Sequence, residues 1–153
     1  EPCLKQGGGQ IEKYIGDAIM VSFSPENCSN TPAITACAAT MSCLAALPGL
    51  NHQLSAAGLP QIKIGIGIAA GNVIRGKIGA RQSRKDFTLI GDPVNLAARL
   101  EANSHFDRQS QILLDNETAK SVKTVFKTRL HGNLSIKGKS QPVAVFELKG
   151  TLK

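Results

Sequence analysis

Two short runs of alternating apolar and polar residues flank Gly16-Asp17, and this pattern constrains the fold more than any other feature of the chain. A glycine at the first position of a two-residue loop predicts a tight antiparallel β-hairpin. Side chains alternate between the two faces of a strand, so one face of the first run should carry Ile11, Lys13 and Ile15. Glu12 and Tyr14 should point the other way. Lys13 is thus predicted to lie on an apolar face, which is unusual for a lysine.

The rest of the chain alternates between helical and strand patterns. A helix is expected from about Thr31 to Ala57, with Thr31 as its cap and an interruption at Pro48-Gly49. In the segment that follows, isoleucine alternates with Gly65 and Gly67, which leaves one strand face nearly without side chains. The remaining elements are two strands joined near 70–72, a strand and a helix over 85–101, a strand at 111–114, a helix begun by Asp115 or Asn116, and strands around 128–136 and 142–148.

This order of elements predicts an α+β fold, with helices packed on one face of a largely antiparallel sheet. The chain has 153 residues, of which 42% are hydrophobic and 19% charged, and these values are typical of one globular domain over residues 1–153. No apolar run approaches the roughly 18 residues that a membrane helix needs. No membrane span is therefore expected in this sequence.

The net charge of +7 favours an anionic partner. Nucleic acid is not expected as that partner, because aromatic residues make up only 4% of the chain and offer few surfaces for base stacking. The basic residues are also scattered along the sequence instead of forming one block. A nucleotide or another small anion fits this composition better.

Four cysteines are present, but their spacing matches no disulfide framework or metal site. They contain no Cys-x-x-Cys pair, and no histidine lies at the spacing of a zinc ligand. We interpret them as reduced thiols, which indicates an intracellular, cytoplasmic domain.

The stretch from Lys85 to Glu101 runs from a strand pattern through Gly-Asp-Pro into a helix rich in alanine and leucine. Asn95 and Arg99 lie one helical turn apart near the start of this helix, so they project from the same face. Most such pairs belong to a solvated helix face. The alternative is a site for phosphate or sugar, since a helix N-terminus favours negative charge.

Three blocks in this order resemble the catalytic domain of the class III nucleotidyl cyclases, the adenylyl and guanylyl cyclases. The blocks are "EKYIGDAIMVSF", "IGIGIAAGNVIRGKIG" and "DFTLIGDPVNLAARLE". The resemblance implies a ferredoxin-like α+β core that forms a head-to-tail homodimer, with active sites in the cleft between the subunits. It also implies conversion of ATP or GTP to the 3′,5′-cyclic nucleotide and pyrophosphate, with two Mg²⁺ or Mn²⁺ ions per site.

The resemblance gives roles to residues of the hairpin and of the strand after it. Asp17 matches a metal-binding carboxylate, although a Gly-Asp pair is also an ordinary hairpin turn. Lys13 and Thr88 match the two residues that read the purine, although a lysine at a strand edge and a β-branched strand residue have ordinary structural explanations. A lysine only donates hydrogen bonds, which suits N1 of adenine and not the protonated N1 of guanine. The resemblance therefore implies ATP as the substrate and a domain of the adenylyl type.

Other positions match residues that bind the ribose and the phosphates. Asn95 matches the asparagine that orients the ribose, and Arg99 matches the arginine that stabilises charge on the transferred phosphoryl group. Lys137 matches a lysine that reaches the terminal phosphates, with Lys139 as the alternative two residues later. Arg84 matches a further phosphate-binding arginine, and Arg81 competes with it.

One part of the family pattern is missing from this sequence. The first strand, of the form Phe-x-Asp-Ile-x-Gly-Phe-Thr, supplies the other metal-binding carboxylate and would lie before Glu1. We therefore interpret residues 1–153 as an N-terminally incomplete domain, and expect this piece to have little cyclase activity with Mn-ATP and its full-length parent to be active. Domains of this class are typically fused to membrane or sensory modules, which this sequence does not contain.

Three rival interpretations remain. The first is a catalytically silent cyclase-like domain that only dimerises or binds nucleotide. The second is a diguanylate-cyclase-type domain, which the hairpin sequence Ile-Gly-Asp-Ala-Ile disfavours because it lacks the Gly-Gly-Asp-Glu-Phe signature. The third is a basic nucleic-acid-binding module, for which nucleic-acid affinity would fall steeply with salt.

Overall fold

The computed structural model describes residues 1–78, 86–104, 112–135 and 141–152. The α+β class is confirmed. The elements in chain order are α1 (Pro2–Gln6), β1 (Gln10–Ile15), β2 (Ala18–Ser22), α2 (Pro32–Ala56), β3 (Ile66–Ile68), β4 (Ile74–Ile78), β5 (Asp86–Ile90), α3 (Asp92–Ser104), β6 (Ile112–Asp115), α4 (Asn116–Val122), β7 (Phe126–Leu134) and β8 (Val143–Thr151).

Strands β1 and β2 form the expected hairpin around Gly16-Asp17. Ile15 pairs with Ala18, which leaves a two-residue connection. Gly16 has a φ of 62°, a conformation that glycine adopts without the steric penalty of a side chain. The sequence prediction of a tight turn with glycine at its first position is confirmed.

The alternation predicted for β1 is broken by a β-bulge. Ile11 pairs with Val21 and Lys13 pairs with Met20, so Glu12 is the extra residue. Because directly paired residues share a face, Ile11 and Lys13 lie on opposite faces of the hairpin. The expectation that Lys13 lies between two isoleucines on one face is therefore wrong for Ile11, since strict alternation does not continue through a bulge.

The described strands form three sheets. The largest has the order β3-β6-β8-β7, in which β3 and β6 are parallel and the other pairs are antiparallel. The hairpins β1-β2 and β4-β5 are separate two-stranded sheets. The pairing is largely antiparallel, as expected. The parallel pair β3-β6 was not expected.

The core lies on both faces of the four-stranded sheet because β6 is buried throughout. Its residues Ile112 and Leu114 pack with Cys37 of α2 and Val122 of α4. The intervening Leu113 packs on the other face against Leu96 and Leu100 of α3. The helices of this sheet therefore occupy both faces and not one, since a short, continuously apolar strand is covered from both sides.

Helix α3 approaches β3 closely at Gly67. A Cβ atom built on this glycine would lie 2.1 Å from the carbonyl oxygen of Ala97 and 2.4 Å from the amide nitrogen of Glu101. Both neighbours are backbone atoms of α3, so a side chain at Gly67 would force the helix away. The strand face predicted to carry few side chains is the face on which α3 rests.

Helix α2 covers the expected range and continues through Pro48 without a break. Its N-terminus follows the prediction, with Thr31 Oγ1 accepting from the amide of Ile34 at 3.5 Å. Beyond the proline, the side chain of Asn51 makes two 2.9 Å hydrogen bonds to the backbone of Ile62. These bonds join the second half of the helix to the segment that follows it. The helix is continuous through Pro48, so the expected interruption at Pro48-Gly49 is wrong.

By length and composition, α2 has enough apolar residues to cross a membrane, with a mean hydropathy of 1.6. This differs from the expectation that no such segment exists, because that expectation considered only uninterrupted apolar runs. Core helices have the same properties, and Cys37 of α2 belongs to the main hydrophobic cluster.

Burial raises the pKa of the Cys37 thiol to about 12. All four cysteines lie in described residues and are free.

A buried carboxylate joins β3, β6 and α4. Asp115 accepts hydrogen bonds from the amide of Ala70 at 3.2 Å and from the amide of Thr118 at 3.0 Å. It also accepts from the Thr118 hydroxyl at 2.5 Å. Asp115 therefore caps α4 and holds the chain that leaves β3 toward the β4-β5 hairpin.

We expect Asp115→Ala to lower the free energy of unfolding by about 2 kcal/mol, because it removes the helix cap and leaves buried donors without an acceptor. Glu117→Ala is the matched control, since Glu117 is an exposed acidic residue of the same helix and its side chain is bonded to the surface groups of Asn116 and Lys120. The control should change stability by less than about 0.5 kcal/mol. Urea denaturation of both variants measures the difference, and equal stabilities would contradict the role of Asp115.

Candidate active site

The hairpin β1-β2 carries two of the expected site residues. Lys13 lies within β1, is half-buried, and has Met20 as its cross-strand partner. Asp17 lies four residues later in the exposed turn. The structure thus gives Lys13 a partly apolar setting and leaves the carboxylate of Asp17 accessible to solvent.

Thr88 lies on β5, where it is half-buried and pairs with Gly76 of β4. The next pair of the same ladder is Arg75 with Leu89, which therefore lies on the opposite face. Strands β1 and β5 are in contact. The two strands that carry the expected purine-reading residues, Lys13 and Thr88, are therefore neighbours in space.

The start of α3 carries the third group of expected residues. The helix begins at Asp92, with the amide of Val94 bonded to the carbonyl of Gly91 at 3.1 Å. Asn95 is exposed and Arg99 is half-buried, one turn further along. The neighbouring Leu96 and Leu100 are both buried against β6 and anchor the helix. The predicted helix and the shared face of Asn95 and Arg99 are confirmed, whereas their roles stay predictions.

Four expected phosphate-binding positions lie outside the described residues. These are Arg81 and Arg84 in the segment 79–85, and Lys137 and Lys139 in the segment 136–140. The described part of the candidate site therefore consists of Lys13, Asp17, Thr88, Asn95 and Arg99.

A polar contact between the two hairpins was missed by the sequence analysis. The side chain of Glu12 is only 2% exposed, and its carboxylate accepts from the Ser22 hydroxyl at 2.5 Å. The same carboxylate lies 3.0 Å from Nη2 of Arg75 on β4. Strict alternation had assigned Glu12 to the face of Tyr14, and no signal in the sequence marks the bulge that buries it.

A second buried glutamate is held in a similar way on other strands. Glu147 of β8 accepts from Arg129 of β7 at 2.7 Å and also binds Lys149. Its side chain is 2% exposed, as is that of Glu12. Strands β7 and β8 carry none of the described site residues, so this ion pair is a structural counterpart to the one between Glu12 and Arg75.

The fit to divalent ions rests on Asp17. A carboxylate oxygen is a hard ligand of the kind that Mg²⁺ prefers, and the turn leaves this one exposed. Within the described ranges, no cluster of three or more His, Cys, Asp or Glu side chains is arranged to hold a metal ion. The described residues therefore include one accessible carboxylate of a suitable kind and not a complete metal site, and the metal-binding role of Asp17 stays a prediction.

Residues 3–150 match the family described as the adenylate and guanylate cyclase catalytic domain. The chain belongs to this family. The match covers nearly the whole sequence, so the family resemblance of the three blocks extends to the helices and strands between them.

The cyclase family members most similar to this chain include an adenylate cyclase from Anabaena cylindrica. It is 36% identical over 156 residues, which cover 96% of this chain. The match covers only 29% of the length of that relative, so this chain corresponds to one part of a longer protein there.

Solved cyclase structures share the fold. The adenylyl cyclase CyaB from P. aeruginosa superposes with a TM-score of 0.87 at 30% identity, covering 99% of this chain and 77% of that one. The guanylyl cyclase Cya2 gives a TM-score of 0.82 at 28% identity, covering 99% of this chain and 75% of that one. Because the two neighbours are named for different nucleotides, the fold alone does not distinguish ATP from GTP.

Proposed function

We propose that this chain is an adenylyl cyclase domain that converts ATP to 3′,5′-cyclic AMP and pyrophosphate. Its membership of the cyclase family and the 36% identity to a protein named adenylate cyclase support the reaction class. The observation that carries the choice of ATP is Lys13, a half-buried donor on a strand that contacts the strand of Thr88. We place this activity in the cytoplasm.

In the proposed reaction, the ribose 3′-oxygen attacks the α-phosphorus of ATP. The new bond closes the cyclic phosphodiester. The bond from the α-phosphorus to the oxygen that it shares with the β-phosphorus breaks, and pyrophosphate leaves. The proton of the 3′-hydroxyl passes to solvent. Divalent ions, when bound, neutralise the triphosphate and lower the pKa of the 3′-hydroxyl, and Asp17 is the described carboxylate that would hold them.

The proposed base contact explains the preference for adenine. Lys13 donates to N1 of adenine, while Thr88 contributes a hydroxyl that both donates and accepts. N1 of guanine carries a proton, so a lysine facing it would leave two donors opposed. Partial burial of Lys13 strengthens the effect, because a hydrogen bond shielded from water discriminates better between matched and mismatched partners.

Helix α3 supplies the proposed contacts to the reacting groups. Asn95 holds the ribose, so that its 3′-oxygen faces the α-phosphorus. Arg99 stabilises the negative charge that builds on the phosphoryl group, for which its planar guanidinium is suited. Arg84 and Lys137 remain the proposed contacts to the other phosphates.

The exposed apolar residues of both hairpins support a second copy of this chain as the partner. Ile74 of β4 is 74% exposed and pairs with Ile90 of β5, which is 50% exposed. Tyr14 of β1 pairs with Ile19 of β2, and both are exposed as well. Large apolar side chains grouped beside a candidate site are typical of an interface. We propose a head-to-tail homodimer with the active sites in the cleft between the subunits.

Replacing Arg99 tests the proposed role of α3. In the full-length protein, Arg99→Ala should lower kcat for Mn-ATP by about 100-fold with a smaller change in KM, because the lost contact acts mainly in the transition state. Lys120→Ala, which removes an exposed cation from α4, should leave kcat within about twofold. Cyclic AMP formation by the purified proteins measures both, and an unchanged kcat in Arg99→Ala would refute the assignment. If the wild-type protein binds ATP without forming cyclic AMP, the domain is catalytically silent.

Exchanging the base-reading residues tests the choice of ATP. The double variant Lys13→Glu with Thr88→Cys should lower kcat/KM for ATP and raise it for GTP by about tenfold, because a glutamate accepts from the protonated N1 of guanine. The measurement is cyclic GTP and cyclic AMP formation by the variant and the wild type. A variant that gains no GTP binding over the wild type would show that these two residues do not read the base.

A charge at the proposed interface should separate the subunits. Ile74→Glu places a carboxylate on an apolar surface, so the cyclase activity of the full-length protein should fall by about tenfold or more. Leu130→Glu is the matched control, since Leu130 is 61% exposed on β7, away from both hairpins in the chain. Activity is measured over a range of protein concentrations. Equal activity of the two variants would argue against this interface.

A further inference from the structure

The two hairpins of the candidate site are joined by side chains. Among the described residues, the backbone ladders of β1-β2 and β4-β5 do not connect. The contact between them includes the carboxylate of Glu12, which accepts from Ser22 on β2 and lies 3.0 Å from Nη2 of Arg75 on β4. We call Glu12, Ser22 and Arg75 the hairpin clamp.

The clamp acts at the backbone positions next to the two proposed base-reading residues. Glu12 immediately precedes Lys13, and it is the extra residue of the β1 bulge. Arg75 pairs with Leu89, which immediately follows Thr88. The ion pair between Glu12 and Arg75 therefore links two positions. Glu12 is next to Lys13 in β1, and Arg75 is paired with Leu89, which is next to Thr88 in β5.

We propose that Glu12 and Arg75 are positioning residues that fix Lys13 relative to Thr88 and thereby set the purine preference. This inference rests on the proposed function, in which Lys13 and Thr88 read the base. Neither Glu12 nor Arg75 needs to touch the nucleotide, because the side chain of Arg75 lies on the face of β4-β5 opposite to that of Thr88.

The physical basis is that the carboxylate of Glu12 is buried and paired with a cation. The side chain of Glu12 is 2% exposed and depends on Arg75 and Ser22 for compensation of its charge. Removal of Arg75 leaves a buried carboxylate without its cation, so the bulge should rearrange to bring that carboxylate to water. Lys13 would move with it, whereas Asn95 and Arg99 are anchored on α3 by a different core cluster.

Discrimination between purines should suffer more than turnover. A base-reading site rejects the wrong purine only if its donors and acceptors face the base with the correct geometry. A shift of Lys13 relative to Thr88 weakens the correct contacts and relieves the mismatched ones. The ratio of kcat/KM for ATP to that for GTP is therefore the quantity that reports on the clamp.

The test compares two Arg–Glu pairs of the described residues in which the glutamate side chain is buried, and it uses the full-length protein. Arg75→Gln should lower the ATP-to-GTP ratio of kcat/KM at least tenfold, and Arg75→Lys, which keeps the charge but loses the planar guanidinium, should lower it by less. Arg129→Gln is the matched control, since it removes the arginine from the other buried glutamate, Glu147. The control should leave the ratio within twofold, and it should lower stability by less, because Glu147 keeps its ion pair with Lys149.

A ratio within twofold of wild type in Arg75→Gln would overturn the proposal, and a loss of thermal stability beside it would make the clamp purely structural. If Arg75→Gln does not fold, Ser22→Ala removes only one hydroxyl of the clamp and should lower the ratio about threefold, and no change there would count against the proposal.

The failure of the proposed function gives a different result. A wild-type protein that prefers GTP would refute the adenine assignment, while a changed ratio in Arg75→Gln would still support the clamp. If no cyclic nucleotide forms, displacement of a fluorescent nucleotide by ATP and by GTP gives the ratio instead.

Discussion

Strand β6 is buried on both faces, and the positions of all the longer helices depend on this. Ile112 and Leu114 point to the cluster formed with α2 and α4, and Leu113 between them points to the cluster formed with α3. Asp115, at the end of the strand, adds a buried carboxylate that caps α4 and holds Ala70. The sheet therefore has α3, with Asn95 and Arg99, on one face, and α2 and α4 on the opposite face.

Local patterns predicted most of the elements because those elements are determined by local chemistry. Gly16 permits the tight turn, Thr31 caps α2, and Asp115 caps α4, so the element limits followed from a few residues each. The failures have a different origin. Helix α2 continues through Pro48 although proline locally disfavours a helix interior. Its packing against the main core cluster and the bonds between Asn51 and Ile62 join residues far apart in the sequence, and local patterns do not show such contacts.

The candidate site shows the same division. The resemblance to the cyclase family identified five described residues, and the structure places each in the element expected for it. Lys13 and Asp17 lie in the first hairpin, Thr88 lies in β5, and Asn95 and Arg99 lie in α3. Their chemical roles stay predictions. Glu12 could not be found from the sequence, because a bulge reverses the face of a residue without changing the residue types around it. A buried, paired carboxylate is visible only once the two hairpins are seen together.

The contact at Gly67 has a mechanical consequence for the helix that carries Asn95 and Arg99. Helix α3 meets β3 backbone to backbone there, with no intervening rotamer that could flex or repack. The distance between α3 and the sheet is thus set by the van der Waals radii of backbone atoms. Any motion that pushes α3 toward the sheet brings backbone atoms into steric overlap. Asn95 and Arg99 are therefore carried by a helix whose distance from β3 cannot shrink.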